Sequence, residues 1–359
     1  MKADNASLKS PWAYCAQHEQ ANAPVYRYGR IRSLKSLELA LGMPEQALRA
    51  LAKRASSMYF VAKRVPKEDG ALRILFDTRQ PLKKILQRVN SQFLKRVCYP
   101  PYLTGGVPGK DYTWSAKLHA NAPLVIKEDI RKFFPSVSTE VVFDIWHRFF
   151  GFSPDVAELL TLLTTRNGHL EQGSPTSGYL ANLALWDVEP RVVSLLVQKC
   201  GITRYSRHVD DICMSSTSPI SATQMTQAIS LVYGMLANKG LSPNRAKHIA
   251  MHAGASIRIL KLVANRKPSL HKSEQSRIRA TVHDFCLRAA KLDNPVWLRG
   301  ELPKIRGLAY KLKRFHPKRA ASLIARIDVI AYTLNSLEMG TPSLSNPRAN
   351  TNEPYPIKR

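Results

Sequence analysis

The stretch YSRHVDDICMSS, residues 205–216, sets two adjacent aspartates inside an alternating apolar segment. Val209, Ile212 and Met214 belong to a buried sheet, yet Asp210 and Asp211 stand among them, where an unpaired charge costs several kcal/mol. A solvent-exposed Asp-Asp turn between two strands would relieve that cost. So would a divalent cation, because carboxylate oxygens are the ligands that Mg²⁺ selects. A third acid favours the cation. Asp129 ends the strand-like run LVIKED, immediately before IRKFFPSV. One carboxylate on a strand end beside a pair on a neighbouring hairpin is the arrangement that grips two Mg²⁺ ions about 3.5–4 Å apart.

Charge points the same way. The 359 residues carry 54 Lys+Arg against 26 Asp+Glu, a net charge of +28. An excess spread along the whole chain implies a polyanionic partner, most commonly nucleic acid. No apolar run approaches the roughly 18 residues of a membrane span, and the first thirty lack the apolar core of a signal peptide. Cys15, Cys98, Cys200, Cys213 and Cys286 never fall in a C-x-x-C spacing, which argues against a disulfide framework and against zinc. The expectation is a reduced, cytoplasmic protein without membrane contact.

Along the chain, SLKSLELALGMPEQALRALAKRA predicts two helices, with Ser33 as a cap, Gly42 as a stop and Pro44 early in the second. YFVAKRVPKEDGALRILFD predicts strands around an Asp69-Gly70 turn. Leu82, Ile85, Val89 and Phe93 mark one face of an amphipathic helix. LVIKEDI is a strand, after which Ser136 or Ser138 caps a helix. GSPTSGYLANLALWDVEPRVVSLL reads as a glycine-rich turn opening one long helix. The Asp-Asp hairpin follows, then a helix over about 221–239 and a return strand near 257–264. Beyond Pro268, Ile278, Val282, Phe285, Ala289 and Leu292 form a helical apolar stripe. Arg277, Arg288 and Lys291 fall together beside it, either as a solvated face or as a surface that tracks a phosphate backbone. The last twenty residues contain four prolines and no apolar period, and read as disordered.

At the motifs themselves the chain resembles a family. YSRHVDDICMS looks like the aspartate-pair motif of bacterial reverse transcriptases, with His208-Val209 in place of the usual Tyr-Ala. DIRKFFPSV looks like their first palm motif. LEQGSPTSGYLANLAL looks like their Gln-Gly-x-Pro-x-Ser motif, at Gln172, Gly173, Pro175 and Ser177. With PKEDGALRILFD and PLKKILQRVN upstream, which resemble their fingers, and SPNRAKHIAMH downstream, which carries the late palm lysine as Lys247, five motifs stand in the family's order over about 59–265. Retron reverse transcriptases are the nearest members: SAKLH, residues 115–119, stands where they carry Asn-Ala-x-x-His. Ile259-Leu260-Lys261 replaces their Val-Thr-Gly triplet, which leaves a related defence-associated enzyme making repetitive or untemplated DNA as the alternative. A catalytically silent RNA-binding scaffold is a third reading, opposed by the intact aspartates.

The resemblance implies an α+β right-hand polymerase. Its parts would be an N-terminal arm (1–30), fingers with N-terminal helices (31–120), a palm with an antiparallel catalytic sheet (121–265), a helical thumb (266–338) and a disordered tail (339–359). It implies RNA-directed DNA synthesis from deoxynucleoside triphosphates on a structured noncoding RNA that is template and primer, joined to its DNA product. Two Mg²⁺ ions, with Mn²⁺ as a substitute, would sit on Asp129, Ile130, Asp210 and Asp211. One would activate the attacking hydroxyl and the other would steady the leaving pyrophosphate. Priming from an RNA 2′-hydroxyl and an effector protein in phage defence are also implied; the oligomeric state is left open. Arg73 would grip the triphosphate through its planar fork, with Lys67 as a second candidate. Phe134 would gate the sugar while Phe133 fills the core. Gly173, in the turn beside Gln172, would let template and nucleotide approach closely, and Lys247 would contact or protonate pyrophosphate. His208 would lie under the primer end and change charge near pH 6.5. His119, Arg277, Arg288 and Lys291 are the remaining nucleic-acid candidates.

Overall fold

The computed structural model describes residues 22–66, 70, 72–291 and 293–339. Most of the expected arm, Lys67, Asp69, Leu292 and the tail from residue 340 lie outside the described residues. The chain divides into two units, one ending at Pro268 and the other beginning at Ser269.

In the first unit, Ser33 caps the helix Leu34–Leu41 by accepting from the Ser36 amide, and Gly42 ends it at φ +57°. Both act as cap chemistry dictates. Pro44 is the N-cap of the helix Glu45–Lys53. Strands β1 (Tyr59–Pro66) and β2 (Leu72–Thr78) pair antiparallel. Leu82, Ile85 and Val89 are buried along the helix Leu82–Gln92. Phe93, just beyond it, joins Trp146, Phe150 and Phe152 in a buried aromatic cluster with ring centroids 4.9–6.4 Å apart.

The sheet that carries the acidic residues is built from β3 (Leu124–Asp129), β4 (Arg204–His208), β5 (Asp211–Ser215) and β6 (Ile249–His252), in the order β4-β5-β3-β6. All its pairings are antiparallel, so the architecture is α+β. Side chains alternate between faces along each strand. Ile126, Tyr205, Ile212 and Met214 enter the hydrophobic core on one face, while Lys127, Asp129 and Asp211 belong to the other.

Two expectations change. The long helix after GSPTS is broken into Ser177–Leu183 and Glu189–Cys200. Pro190 falls in the first turn of the second piece, where a missing N–H is harmless; inside a continuous helix it would remove a bond and clash. The return strand near 257–264 is a small hairpin, β7 (Arg258–Ile259) with β8 (Leu262–Val263), and the strand that completes the large sheet is β6. Four residues are too few for alternation to stand out in sequence.

The second unit holds the helices Lys272–Ala290, Pro295–Phe315 and Pro317–Met339. Ile278, Val282, Phe285 and Ala289 are buried along the first, as their spacing predicts. Among the described residues no helix is long and apolar enough to cross a membrane. Cys200, Cys213 and Cys286 are free, whereas Cys98 is disulfide-bonded, a departure from the fully reduced expectation.

Candidate active site

Strand register brings the three aspartates together. Asp129 is the cross-strand partner of Asp211. Asp211 in turn pairs with His208 across a two-residue turn of Val209 and Asp210. The Ile130 amide donates to the Asp210 carbonyl at 3.0 Å, tying the end of β3 to that turn. Burial, then the charges of Asp211 and Asp129, push the Asp210 carboxyl above the usual carboxylate range.

Cationic and amide groups of the chain hold the other two acids. Asn244 grips Asp129 twice, its backbone N donating to the Asp129 carbonyl at 2.7 Å and Nδ2 to Oδ1 at 2.9 Å. Lys247 Nζ donates to Asp129 Oδ2 at 2.9 Å from a side chain that is 59% exposed. Lys127 Nζ lies 2.8 Å from Asp211 Oδ1. Burial works against the charge on Lys127, but Asp211 beside it outweighs burial and raises the lysine above its ordinary value. The segment that supplies Asn244 and Lys247 is pinned on the opposite side of β3, where His248 Nδ1 and Tyr233 Oη meet the fully buried Glu128 at 2.6 and 3.2 Å.

These residues fit a hard divalent cation in kind: three clustered carboxylates, one of them with its ionised form disfavoured by burial and by its neighbours' charge. Among the described residues no three acidic, histidine or cysteine side chains converge as a ready-made metal cluster.

The turn rests on buried chemistry. Val209 has φ +62° and Asp210 does not share the positive sign, the pattern of a type II′ turn whose first position normally belongs to glycine. A β-branched residue there is strained. Arg207, fully buried, donates to both oxygens of Glu189 and, through Nη1 at 3.2 Å, to the Val209 carbonyl. Gly105 packs so tightly on the turn that a Cβ there would lie 2.6 Å from the Val209 amide nitrogen. His208 Nδ1 meets Thr104 Oγ1 at 3.2 Å, and burial lowers its pKa against the pull of Asp211 and Asp111. The charge change expected of His208 near pH 6.5 therefore moves to lower pH.

Other predicted residues fall as follows. Phe133 is buried beneath the Arg207 guanidinium, as its core assignment predicts, and Phe134 beside it is half-buried. Gly173, at φ +108°, lies against the protein's own backbone: a Cβ there would lie 2.3 Å from the Phe76 carbonyl oxygen. The Gln172 carbonyl accepts from the Phe76 amide at 2.8 Å, so this loop is joined to β2. Arg73 lies within β2 and is exposed.

His119 is corrected outright. It is fully buried, its two ring nitrogens 2.7 and 2.9 Å from the hydroxyls of Ser215 and Ser206. Burial, aided by Arg204, lowers its pKa to about 3. A neutral staple between β4 and β5 makes no surface contact with nucleic acid. Arg277 and Arg288 are exposed but engage acids of their own helix, Glu274 at 2.8 Å and Asp284 at 3.1 Å. Lys291 caps that helix. Sequence reasoning missed Lys127, Asn244, Glu189 and Arg207; only Asn244, three residues before Lys247, carried a local signal.

No protein-family model matches the chain. The retron Se72 reverse transcriptase of Salmonella heidelberg is 33% identical over 266 residues, covering 73% of this chain and 70% of that protein. The retron Ec48 reverse transcriptase of Escherichia coli is 30% identical over 87% of this chain and 78% of its own length. The retron Mx65 reverse transcriptase of Myxococcus xanthus is 27% identical over 85% and 74%. Among solved structures, an apo telomerase from Candida tropicalis matches with a TM-score of 0.41 at 10% identity, over 63% of this chain and 59% of that one.

Proposed function

The chain belongs to the retron reverse transcriptases and is an RNA-directed DNA polymerase, and from that premise we propose that it copies a structured noncoding RNA into single-stranded DNA at Asp129, Asp210 and Asp211. The observation that carries this reading is the register that sets Asp129 opposite Asp211, with Asp210 in the adjoining turn. In this reading β1, β2 and the helices before them are fingers, the four-stranded sheet is the palm, and the helices after Ser269 are the thumb. Ile130 is carried as a further contact of the metal site. Mg²⁺ held by the carboxylates would supply Lewis-acid activation of a sugar hydroxyl and charge neutralisation of pyrophosphate.

The chain's own residues do the remaining work. Arg73 presents an exposed guanidinium to the triphosphate. Lys247, exposed and anchored at Asp129, is the group to meet the departing pyrophosphate. Phe134 offers a half-exposed ring to the sugar. The net charge of +28 supports a polyanionic template. Priming within that RNA, and phage defence with an effector protein, follow from retron membership and belong to the same proposal.

The test uses the full chain copurified with the RNA encoded beside it. With deoxynucleoside triphosphates and Mg²⁺ the wild type makes DNA joined to that RNA, with the sequence of its template. Asp129→Ala makes none yet binds the RNA, with affinity that falls steeply as salt rises. Substantial synthesis by Asp129→Ala overturns the site assignment. A product of repetitive or untemplated sequence overturns the copying assignment.

A further inference from the structure

Lys127 occupies an unusual place. It stands two residues before Asp129 on β3, and alternation puts both side chains on the same face. Its direct cross-strand partner is Cys213, and its Nζ reaches diagonally to Asp211 Oδ1 at 2.8 Å. Both partners of this pair are largely shielded, with 22% and 23% of their side chains exposed. Lys247, the other lysine at the acids, is 59% exposed and pays little to turn away into solvent. Lys127 has no such freedom, because β3 is an inner strand with neighbours on both sides.

From this geometry we propose that Lys127 is the built-in counter-ion of Asp211, and that it sets the divalent-cation concentration the polymerase requires. The inference rests on the reading that Asp211 belongs to the metal site. An ammonium group and a divalent cation compete for the same oxygens. Without a cation, Lys127 offsets the repulsion among Asp129, Asp210 and Asp211 and keeps the hairpin folded. When a cation arrives, its apparent affinity is reduced by the work of displacing Lys127 from Asp211. A neutral residue of similar length removes the competitor and leaves the carboxylates intact. Metal-free stability should then fall while cation affinity rises, and a residue that merely fills space would not give these two opposite effects.

The experiment compares the full-length wild type with Lys127→Met, Asp211→Asn and the double variant. Thermal unfolding is followed in EDTA and across a Mg²⁺ series, with the Mg²⁺ midpoint for single-nucleotide extension as a second readout. Lys127→Met should melt below wild type in EDTA. Its Mg²⁺ midpoint should fall about fivefold, the factor that about 1 kcal/mol corresponds to for a partly shielded pair. In the Asp211→Asn background, read by the Mg²⁺ dependence of thermal unfolding, the same substitution should leave the cation response unchanged, since neighbouring partners couple only while both are present. Lys127→Gln provides the same reading if the methionine variant does not fold. A Lys127→Met or Lys127→Gln midpoint equal to wild type overturns the counter-ion role. If Asp211→Asn itself keeps the wild-type Mg²⁺ response, the assignment of Asp211 to the metal site fails instead, and the proposal with it.

Discussion

Arg207 and Glu189 form a fully buried two-pronged ion pair, Nε to Oε1 at 2.7 Å and Nη2 to Oε2 at 2.8 Å, directly behind the turn that carries Asp210. Tyr205 Oη donates to Glu189 Oε1 at 2.7 Å, and Arg207 Nη2 also meets the Asn182 carbonyl at 2.8 Å. The first turn of the helix Glu189–Cys200 is thereby locked to β4. The strained Val209 backbone is held by the guanidinium arm left over.

Breaking that pair from one side should be costly. Glu189→Gln leaves a buried guanidinium without its counter-charge, and we expect a loss of about 3–5 kcal/mol in urea unfolding. Replacing both partners by apolar residues, Arg207→Met with Glu189→Leu, should recover much of the stability but not DNA synthesis, because nothing then holds the Val209 carbonyl. A double variant with wild-type extension rates would show that the pair serves folding alone.

Asp210→Asn should separate stability from activity. Burial and the neighbouring acids raise the folded-state pKa of Asp210, so this group favours folding when protonated and loses that contribution as pH rises through its folded value. At neutral pH the ionised form is a liability in the absence of metal. The neutral amide should therefore raise the melting temperature in EDTA while abolishing nucleotide addition. A variant that melts lower than wild type in EDTA contradicts the electrostatic account.

Phe134 should set sugar selection. Phe134→Ala should admit ribonucleotides with a modest loss of DNA synthesis, whereas Phe133→Ala should cost about 3–5 kcal/mol through the core cavity it leaves. Single-nucleotide extension with deoxy and ribo substrates distinguishes the two rings. Acceptance of ribonucleotides by the Phe133 variant alone would shift the motif by one residue and exchange their roles.

His119 should make stability depend on pH. Its folded-state pKa is lowered to about 3, so below about pH 6.5 the unfolded chain takes up a proton that the folded chain refuses. Stability is complete above that value and falls by about 1.4 kcal/mol per pH unit below it. Between pH 7.5 and 5 this amounts to about 2 kcal/mol in urea unfolding. His119→Gln should be less stable at pH 7.5 but show a flatter decline toward pH 5. An unchanged slope would mean that His119 is not the titrating group.

What the sequence determined by itself is local or periodic. The caps at Ser33 and Gly42, the buried stripe from Leu82 to Val89 and the β3 strand all follow from neighbours a few residues apart. The three aspartates were legible because charges inside apolar strands are anomalous wherever they occur. What only the tertiary structure decided concerns groups far apart in the chain. Asn244 and Lys247 reach Asp129 across more than a hundred residues, and Gly173 is required by the backbone of Phe76. His119, which looked like a surface contact, is an internal bridge between two serines. Buried polar groups must find partners, but the partner a given side chain finds is set by how strands pair and helices cover them, and neither periodicity nor composition encodes that choice.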